Sequence, residues 1–174
     1  MNRFLKRAWA EIDLDALEHN YNEIKKLAKG KDILAVVKAN AYGHDDKAVC
    51  LKLQELGVKY YGVSNLWEGE KLRCHGITGT ILTFGYTDED YFDELLEYGI
   101  TQTAGSVQYA KQLSDYAVSK GVKLPVHIKV NTGMTRVGID SQQEMLDILA
   151  MLGLDCKAAY THFAAADSLD PSDV

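Results

Sequence analysis

The sequence predicts an α/β protein built on a parallel sheet of the (β/α)8-barrel type. Along its 174 residues, six short runs rich in β-branched and aromatic residues alternate with amphipathic helical segments. Successive runs begin about 20 to 31 residues apart, which is the length of one β/α unit. Nearly continuous apolar strands separated by helices are typical of a parallel sheet that helices cover. The predicted strands are 33–39, 60–65, 79–85, 100–106, 125–131 and 156–162.

The helical segments show apolar residues at helical spacing. The first begins after Asp13, a side chain that favours the N-cap position, and ends shortly before Gly30. Four later segments are each followed by a glycine, which a left-handed C-cap favours: Gly57, Gly99, Gly121 and Gly153. The predicted helices are 14–28 and roughly 45–56, 66–75, 88–98, 107–120 and 141–152.

Two architectures fit this alternation, a doubly wound open sheet and a closed barrel. No strand leads into a G-x-G-x-x-G turn, and no G-x-x-x-x-G-K-[ST] loop occurs, so nothing favours a nucleotide-binding sheet. Polar side chains instead follow several different strands, as in a barrel whose active site lies at the carboxyl ends of its strands. These side chains are Lys38, Asn40, Tyr42, Ser64, Asn65, Lys129, Asn131 and His162.

The number of units predicts an incomplete barrel. A complete barrel has eight strands and typically about 250 residues, whereas this sequence supplies about six strand–helix units. An open six-stranded remnant would leave two unpaired edges, so closure favours a chain that is part of a longer protein. We expect one domain, 1–174, that forms the N-terminal part of a barrel.

Composition narrows the class of protein. The formal net charge is −6, from 19 basic and 25 acidic residues, so general binding to nucleic acid or anionic membranes is not expected. No apolar run reaches about 18 residues, and the N-terminus lacks a signal-peptide core, which favours a cytoplasmic protein without a membrane span. Cys50, Cys74 and Cys156 are far apart and form no CxxC pair, so we expect buried reduced thiols and no metal site.

Lys38 follows a strongly apolar strand, which makes it the first candidate for chemistry. Partial desolvation disfavours an ammonium group and lowers its pKa, so a free amine becomes available. Such an amine can form a Schiff base with a carbonyl compound. The alternative is an ordinary lysine that extends from a strand end into solvent.

Four segments resemble one family. Residues 35–44, AVVKANAYGH, closely resemble the pyridoxal-phosphate (PLP) lysine motif of alanine racemases, which are fold-type III PLP enzymes. The segments 7–17, 127–138 and 161–167 are similar to other parts of that family and occur in its order. The resemblance therefore spans nearly the whole chain.

The resemblance implies a role for five residues. Lys38 would hold PLP covalently and act as a catalytic acid and base, while Tyr42 would contact the cofactor phosphate. Arg136 would bind the phenolic oxygen of the cofactor and help to hold the substrate carboxylate. Lys129 corresponds to a lysine that is often carbamylated and then positions the arginine. His162 would pack against the pyridine ring.

The resemblance also implies an isomerase that interconverts L-alanine and D-alanine by moving the Cα proton, with D-alanine serving peptidoglycan synthesis. Members are homodimers in which a tyrosine of the partner subunit is the second base, and they carry a C-terminal β-domain. Since this sequence lacks both, we expect the 174 residues alone to lack full activity. The alternatives are a serine or broad-specificity racemase, a PLP-binding regulator and a non-catalytic PLP-binding barrel domain.

Two positions depart from the family pattern. Asp45 stands where glycine is usual, and Asn131 stands where aspartate is usual. A carboxylate that pointed into a phosphate pocket would be unfavourable. We therefore expect Asp45 to cap the following helix and to point away from the pocket.

Overall fold

Six parallel strands follow one another across a single sheet in the order of the chain, β1-β2-β3-β4-β5-β6. The structure, a computed structural model, describes residues 8–170. The strand order never reverses, as it would in a doubly wound sheet, so the prediction of an incomplete barrel-type fold is confirmed and the doubly wound alternative is wrong. The strands are β1 Leu34–Val36, β2 Tyr60–Val63, β3 Thr80–Thr83, β4 Ile100–Ala104, β5 Leu124–Lys129 and β6 Leu154–Tyr160.

Helical segments connect the strands near the predicted positions. The predicted helix 88–98 is divided into a short 3-10 turn and α5. The sequence did not predict α2, which replaces the end of the first predicted strand. The segments are α1 Leu14–Leu27, α2 Lys38–Gly43, α3 Asp46–Glu55, α4 Leu66–Cys74, η1 Glu89–Tyr91, α5 Phe92–Glu97, α6 Val107–Lys120 and α7 Gln142–Leu149.

Side chains cap most helix starts, and the N-cap predicted at Asp13 is confirmed. Asp13 accepts hydrogen bonds from the backbone N–H groups of Asp15 and Ala16 at 2.9 and 3.0 Å. Three of the four glycines predicted as C-caps have a positive φ. The prediction is wrong for Gly153, where a Cβ atom would instead collide with the carbonyl oxygen of Ser114 in α6. Glycine is needed there because two backbone segments approach closely.

Alternation along the strands separates two faces of the sheet. Tyr61 and Ile81 are fully buried in the core between the sheet and the helices. The neighbouring Leu82 and Phe84 line a cavity on the opposite face. Because side chains of a strand alternate between faces, one face stabilises the domain and the other is available for binding.

Arg73 fixes the loops at the amino ends of two strands. Its guanidinium donates to the carbonyl oxygens of Tyr98, Ile77, Gly79 and Gly99 at 2.6–3.0 Å. These carbonyls precede β3 and β4, so one side chain satisfies four acceptors that would otherwise need water. This end of the sheet is stabilised by structural contacts, and the cavity lies at the other end.

The three cysteines have free thiols in different environments. Cys50 is buried and Cys156 is partly buried, but Cys74 is exposed at the end of α4, so the expectation of three buried thiols is wrong for Cys74. No helix within residues 8–170 has the length and apolar character needed to cross a bilayer. In this range, no group of three or more metal-ligating side chains could hold a metal ion.

Candidate active site

A cavity of about 570 Å³ lies at the carboxyl ends of the strands. Side chains from β1, β3, β5 and β6 line it, together with residues that follow these strands and with Ser64, which follows β2. The structure brings all five candidate site residues to this cavity, although they are separated by up to 124 positions (162 − 38) in the sequence. They are Lys38, Tyr42, Lys129, Arg136 and His162.

Lys38 begins a turn of left-handed helix. The residues from Ala39 to Tyr42 all have φ between 51° and 57°, and the N–H of Ala41 donates to the carbonyl of Val37 at 2.9 Å. Side-chain sterics make this conformation unfavourable for L-residues by roughly 1–2 kcal/mol each. The prediction of a strand through residue 39 is wrong because β1 ends at Val36 and the chain turns there.

Asn40 ties the left-handed turn to two helices. Its Oδ1 atom accepts from the N–H of Asp46 at 3.1 Å and from Lys71 Nζ at 3.4 Å. Lys71 Nζ also lies 2.8 Å from the carboxylate of Asp46, which is buried. These contacts offset part of the backbone strain and hold Lys38 and Tyr42 at the cavity.

Asp45 lies between this turn and α3 and points away from the cavity, as predicted. Its carboxylate accepts from the N–H of Ala48 at 3.0 Å and caps α3. Its φ is 69°, a region that favours glycine but that aspartate also adopts. The backbone at residue 45 therefore suits glycine, and the cap contact gives aspartate a role in the same position.

Lys129 is buried at the end of β5, with only 5% of its surface exposed. Its Nζ donates to the carbonyl oxygen of Val137 at 2.8 Å and lies 5.9 Å from the centre of the Tyr160 ring. Burial and the positive charge of Arg136 lower the pKa of Lys129 below its ordinary value. Lys129 therefore loses its proton more readily than an exposed lysine does.

Arg136 lies on a loop that closes on itself after β5. The N–H of Asn131 donates to the carbonyl of Ile139 at 2.9 Å, and the N–H of Ile139 donates to the carbonyl of Lys129 at 2.9 Å. Val137 in the same loop accepts from Lys129. These hydrogen bonds hold the two ends of the loop together, and the exposed Arg136 on the loop lines the cavity.

Sequence reasoning missed two titratable side chains that line the cavity, His127 and Tyr160. Burial lowers the pKa of His127, which favours its neutral form. The Tyr160 hydroxyl lies 2.9 Å from Thr103 Oγ1 in β4. Strand periodicity could have identified both, because each precedes a candidate site residue by two positions and so faces the same side.

The charge in the cavity is opposite to that of the whole chain. The chain carries a net charge of −6, yet Lys38, Lys129 and Arg136 line the cavity. Among residues 8–170, no aspartate or glutamate lines it. A cavity with cationic side chains and an apolar floor is suited to an anionic ligand that carries a flat ring.

Comparison with known proteins agrees with this geometry. A family model described as alanine racemase, N-terminal domain, matches residues 12–174. The chain belongs to this alanine racemase family. The match includes the segments around Lys38, Arg136 and His162, whereas Arg7, with which the first resembling segment begins, lies outside the described residues.

Curated relatives cover nearly the whole chain but are longer. An alanine racemase of Clostridium perfringens is 40% identical over 174 residues, which is 98% of this chain and 45% of that protein. An alanine racemase of Desulforamulus reducens is 40% identical over 169 residues, 94% of this chain and 46% of that protein. The chain therefore spans about half the length of the curated relatives that it matches.

Solved structures show the same fold. An alanine racemase of Clostridium difficile in complex with cycloserine superposes with a TM-score of 0.91 at 36% identity, over 98% of this chain and 48% of that one. A histidine racemase of Leuconostoc mesenteroides superposes with a TM-score of 0.86 at 28% identity, over 93% and 45%. The six-stranded sheet is thus the alanine racemase N-terminal barrel fold.

Proposed function

We propose that this chain supplies the PLP-binding lysine and the carboxylate-binding arginine of an isomerase that interconverts L-alanine and D-alanine. The observation that carries this proposal is the cavity in which Lys38, Lys129 and Arg136 converge. Among the described residues, no carboxylate lines this cavity. PLP is anionic at neutral pH, and an amino-acid substrate is a zwitterion whose carboxylate carries a negative charge. A cluster of cations would bind them, whereas an acidic site would repel them.

The residues present fit PLP. The cofactor has a phosphate, a phenolic oxygen, a flat ring and a reactive carbonyl. Tyr42 offers a hydroxyl donor for the phosphate, Arg136 offers N–H donors for the phenolic oxygen, and Lys38 offers an amine for the carbonyl. His162 lines the same cavity and offers a flat face for the ring. When bound, PLP supplies an electron sink for the negative charge that develops at Cα.

The protein's own groups would bind the substrate and move its proton. Lys38 Nζ would remove the proton from Cα on one face and would return it in the reverse reaction. Arg136 would hold the substrate carboxylate through two parallel N–H donors, which fixes the direction of the Cα–H bond. Racemisation also needs an acid on the opposite face, which we assign to a tyrosine of a partner subunit in a homodimer.

Lys129 is proposed to orient Arg136. Its lowered pKa makes the amine available to react with carbon dioxide, which forms an N–C bond and releases one proton. The resulting carbamate is an anion that can accept two hydrogen bonds from a guanidinium. Without this modification, two cations at the end of β5 repel each other.

The proposed setting is cytoplasmic, and the proposed product D-alanine serves peptidoglycan synthesis. The superposition on a histidine racemase supports a second candidate, a racemase that acts on another amino acid or on several. The full-length protein should be assayed with alanine, serine and histidine. Fastest turnover of alanine supports the first candidate, and preference for either other substrate supports the second.

The cofactor assignment is tested by reduction. The protein is incubated with PLP, reduced with borohydride and digested, and the labelled lysine is mapped by mass spectrometry. We expect the label on Lys38 and its loss in Lys38→Arg, with Lys31→Arg as a control in the exposed loop before β1. A label on any other lysine, retained in Lys38→Arg, would contradict the proposal.

A further inference from the structure

Two glutamates occupy the same position in two helices of this protein but make different contacts. Glu68 and Glu144 are each the third residue of a helix, α4 and α7. Glu144 forms an ordinary capping box, because its carboxylate accepts from the backbone N–H of the N-cap residue Ser141 at 3.0 Å. Each carboxylate also accepts from the N–H of the residue before the N-cap, Asp140 or Ser64. Glu68 differs in that it also reaches a distant segment of the chain, while Asn65 caps α4.

Glu68 bridges the end of β2 and the left-handed turn. Its Oε1 atom accepts from the N–H of Ala39 at 2.8 Å, a residue 29 positions away. Its Oε2 atom accepts from the N–H and from the hydroxyl of Ser64, both at 2.7 Å. One carboxylate therefore uses both oxygens to join two strand ends.

Ala39 is the first residue of the turn with left-handed backbone angles and is bonded directly to Lys38. The first N–H groups of a helical turn have no acceptor within the turn, so an outside group must supply one. Burial raises the pKa of Glu68, but the hydrogen bonds from Ser64 and Ala39 and the positive charge of Lys38 lower it, with a net decrease. The carboxylate therefore stays ionised and remains a strong acceptor.

We propose that Glu68 is a positioning residue that holds the left-handed turn and so fixes where the Lys38 amine enters the cavity. It acts through the backbone of Ala39 and does not line the cavity. This inference rests on the proposed function of Lys38 as the reactive lysine. With Lys71, it is a second residue of α4 that holds the turn from outside the cavity.

The test compares Glu68→Gln with the matched variant Glu144→Gln. A glutamine has one acceptor oxygen, so it cannot serve both Ala39 and Ser64, and its NH2 group faces a donor. We expect hydrogen exchange at the amides of 39–42 to become about tenfold faster or more in Glu68→Gln. We also expect PLP labelling of Lys38 at limiting PLP to fall about tenfold. Glu144→Gln should change neither.

The outcomes are distinct. Wild-type exchange and wild-type labelling in Glu68→Gln would overturn the inference, as would equal losses in both variants. If wild-type protein carries the label on a different lysine, the proposed function fails, but the exchange rates still test the contact of Glu68 with Ala39.

A measurement on wild-type protein covers the case in which Glu68→Gln does not fold. The Ala39 amide proton is followed by NMR as the pH is lowered. We expect its chemical shift to titrate together with the Glu68 carboxyl, below the ordinary pKa of glutamate. An Ala39 amide that does not respond to this titration would overturn the inference.

Discussion

The side-chain amide of Asn131 donates to the carboxylate of Asp140 at 2.7 Å. The amide oxygen of Asn131 accepts at the same time from the backbone N–H groups of Gly133 and Thr135, at 3.2 and 2.9 Å. A carboxylate could accept these two bonds but could not donate to Asp140. Asparagine therefore suits position 131, because it can donate to an acidic neighbour at the base of the Arg136 loop.

Exchange of this amide for a carboxylate should weaken the loop. Asn131→Asp places two negative charges at hydrogen-bond distance and removes one donor. We expect a loss of about 1 kcal/mol in the free energy of unfolding, reduced by added salt. Urea unfolding at low and high ionic strength measures both effects.

The matched control is the double variant Asn131→Asp with Asp140→Asn. It restores one donor and one acceptor with the positions exchanged, so we expect it to recover most of the lost stability. If the double variant loses as much free energy of unfolding as the two single variants together, the contact between the two side chains does not explain the asparagine.

His127 should make stability depend on pH. In the unfolded chain its pKa is about 6.5, and burial lowers its pKa in the folded protein. As the pH falls below about 6.5, the unfolded chain takes up a proton before the folded protein does, so the free energy of unfolding decreases. The contribution of His127 is present above this pH and is lost as the pH falls toward the folded pKa.

As the pH is lowered from 6.5, the free energy of unfolding of His127→Gln should therefore decrease less than that of wild type. Chemical unfolding at a series of pH values gives the two slopes, and the exposed His19→Gln is the control. Parallel curves for wild type and His127→Gln would show that this histidine does not cause the acid sensitivity.

Gly153 should be intolerant of a side chain. Gly153→Ala would force a methyl group against the backbone carbonyl of Ser114, which cannot rotate away, and we expect a loss of roughly 1–3 kcal/mol. Gly121→Ala places the same methyl group in open space at a φ of 69° and should lose about 1 kcal/mol. Thermal unfolding compares the two, and a smaller loss in Gly153→Ala would contradict the close approach.

Local patterns predicted the order of strands and helices well because hydrophobic period and capping residues act within a few positions. The N-cap at Asp13 and the cap at Asp45 are examples. The left-handed turn after β1 was not predictable in this way. Its acceptor for Ala39 is Glu68, and its partner for Asn40 is Lys71, both about 30 residues away in the sequence.

In the candidate site too, features set by local sequence were predictable and features set by distant contacts were not. Lys38, Lys129 and His162 lie at the carboxyl ends of predicted strands, so parallel topology alone places them at one edge of the sheet. Strand periodicity would also have placed Tyr160 on the cavity face, but its contact with Thr103 could not be predicted, because it joins β6 to β4 across β5. The exposure of Cys74 was missed because it depends on which face of α4 is covered.

The left-handed turn limits how the ten residues of the lysine motif can be moved between proteins. Residues 35–44 contain only one glycine, so most of the motif favours right-handed angles when it stands alone. A graft of this peptide onto another strand would place its lysine in a different direction. A designer would have to transplant Glu68, the α3 cap and Lys71 with it, which makes the transferable unit the whole fragment from β1 to α4 and not a sequence motif.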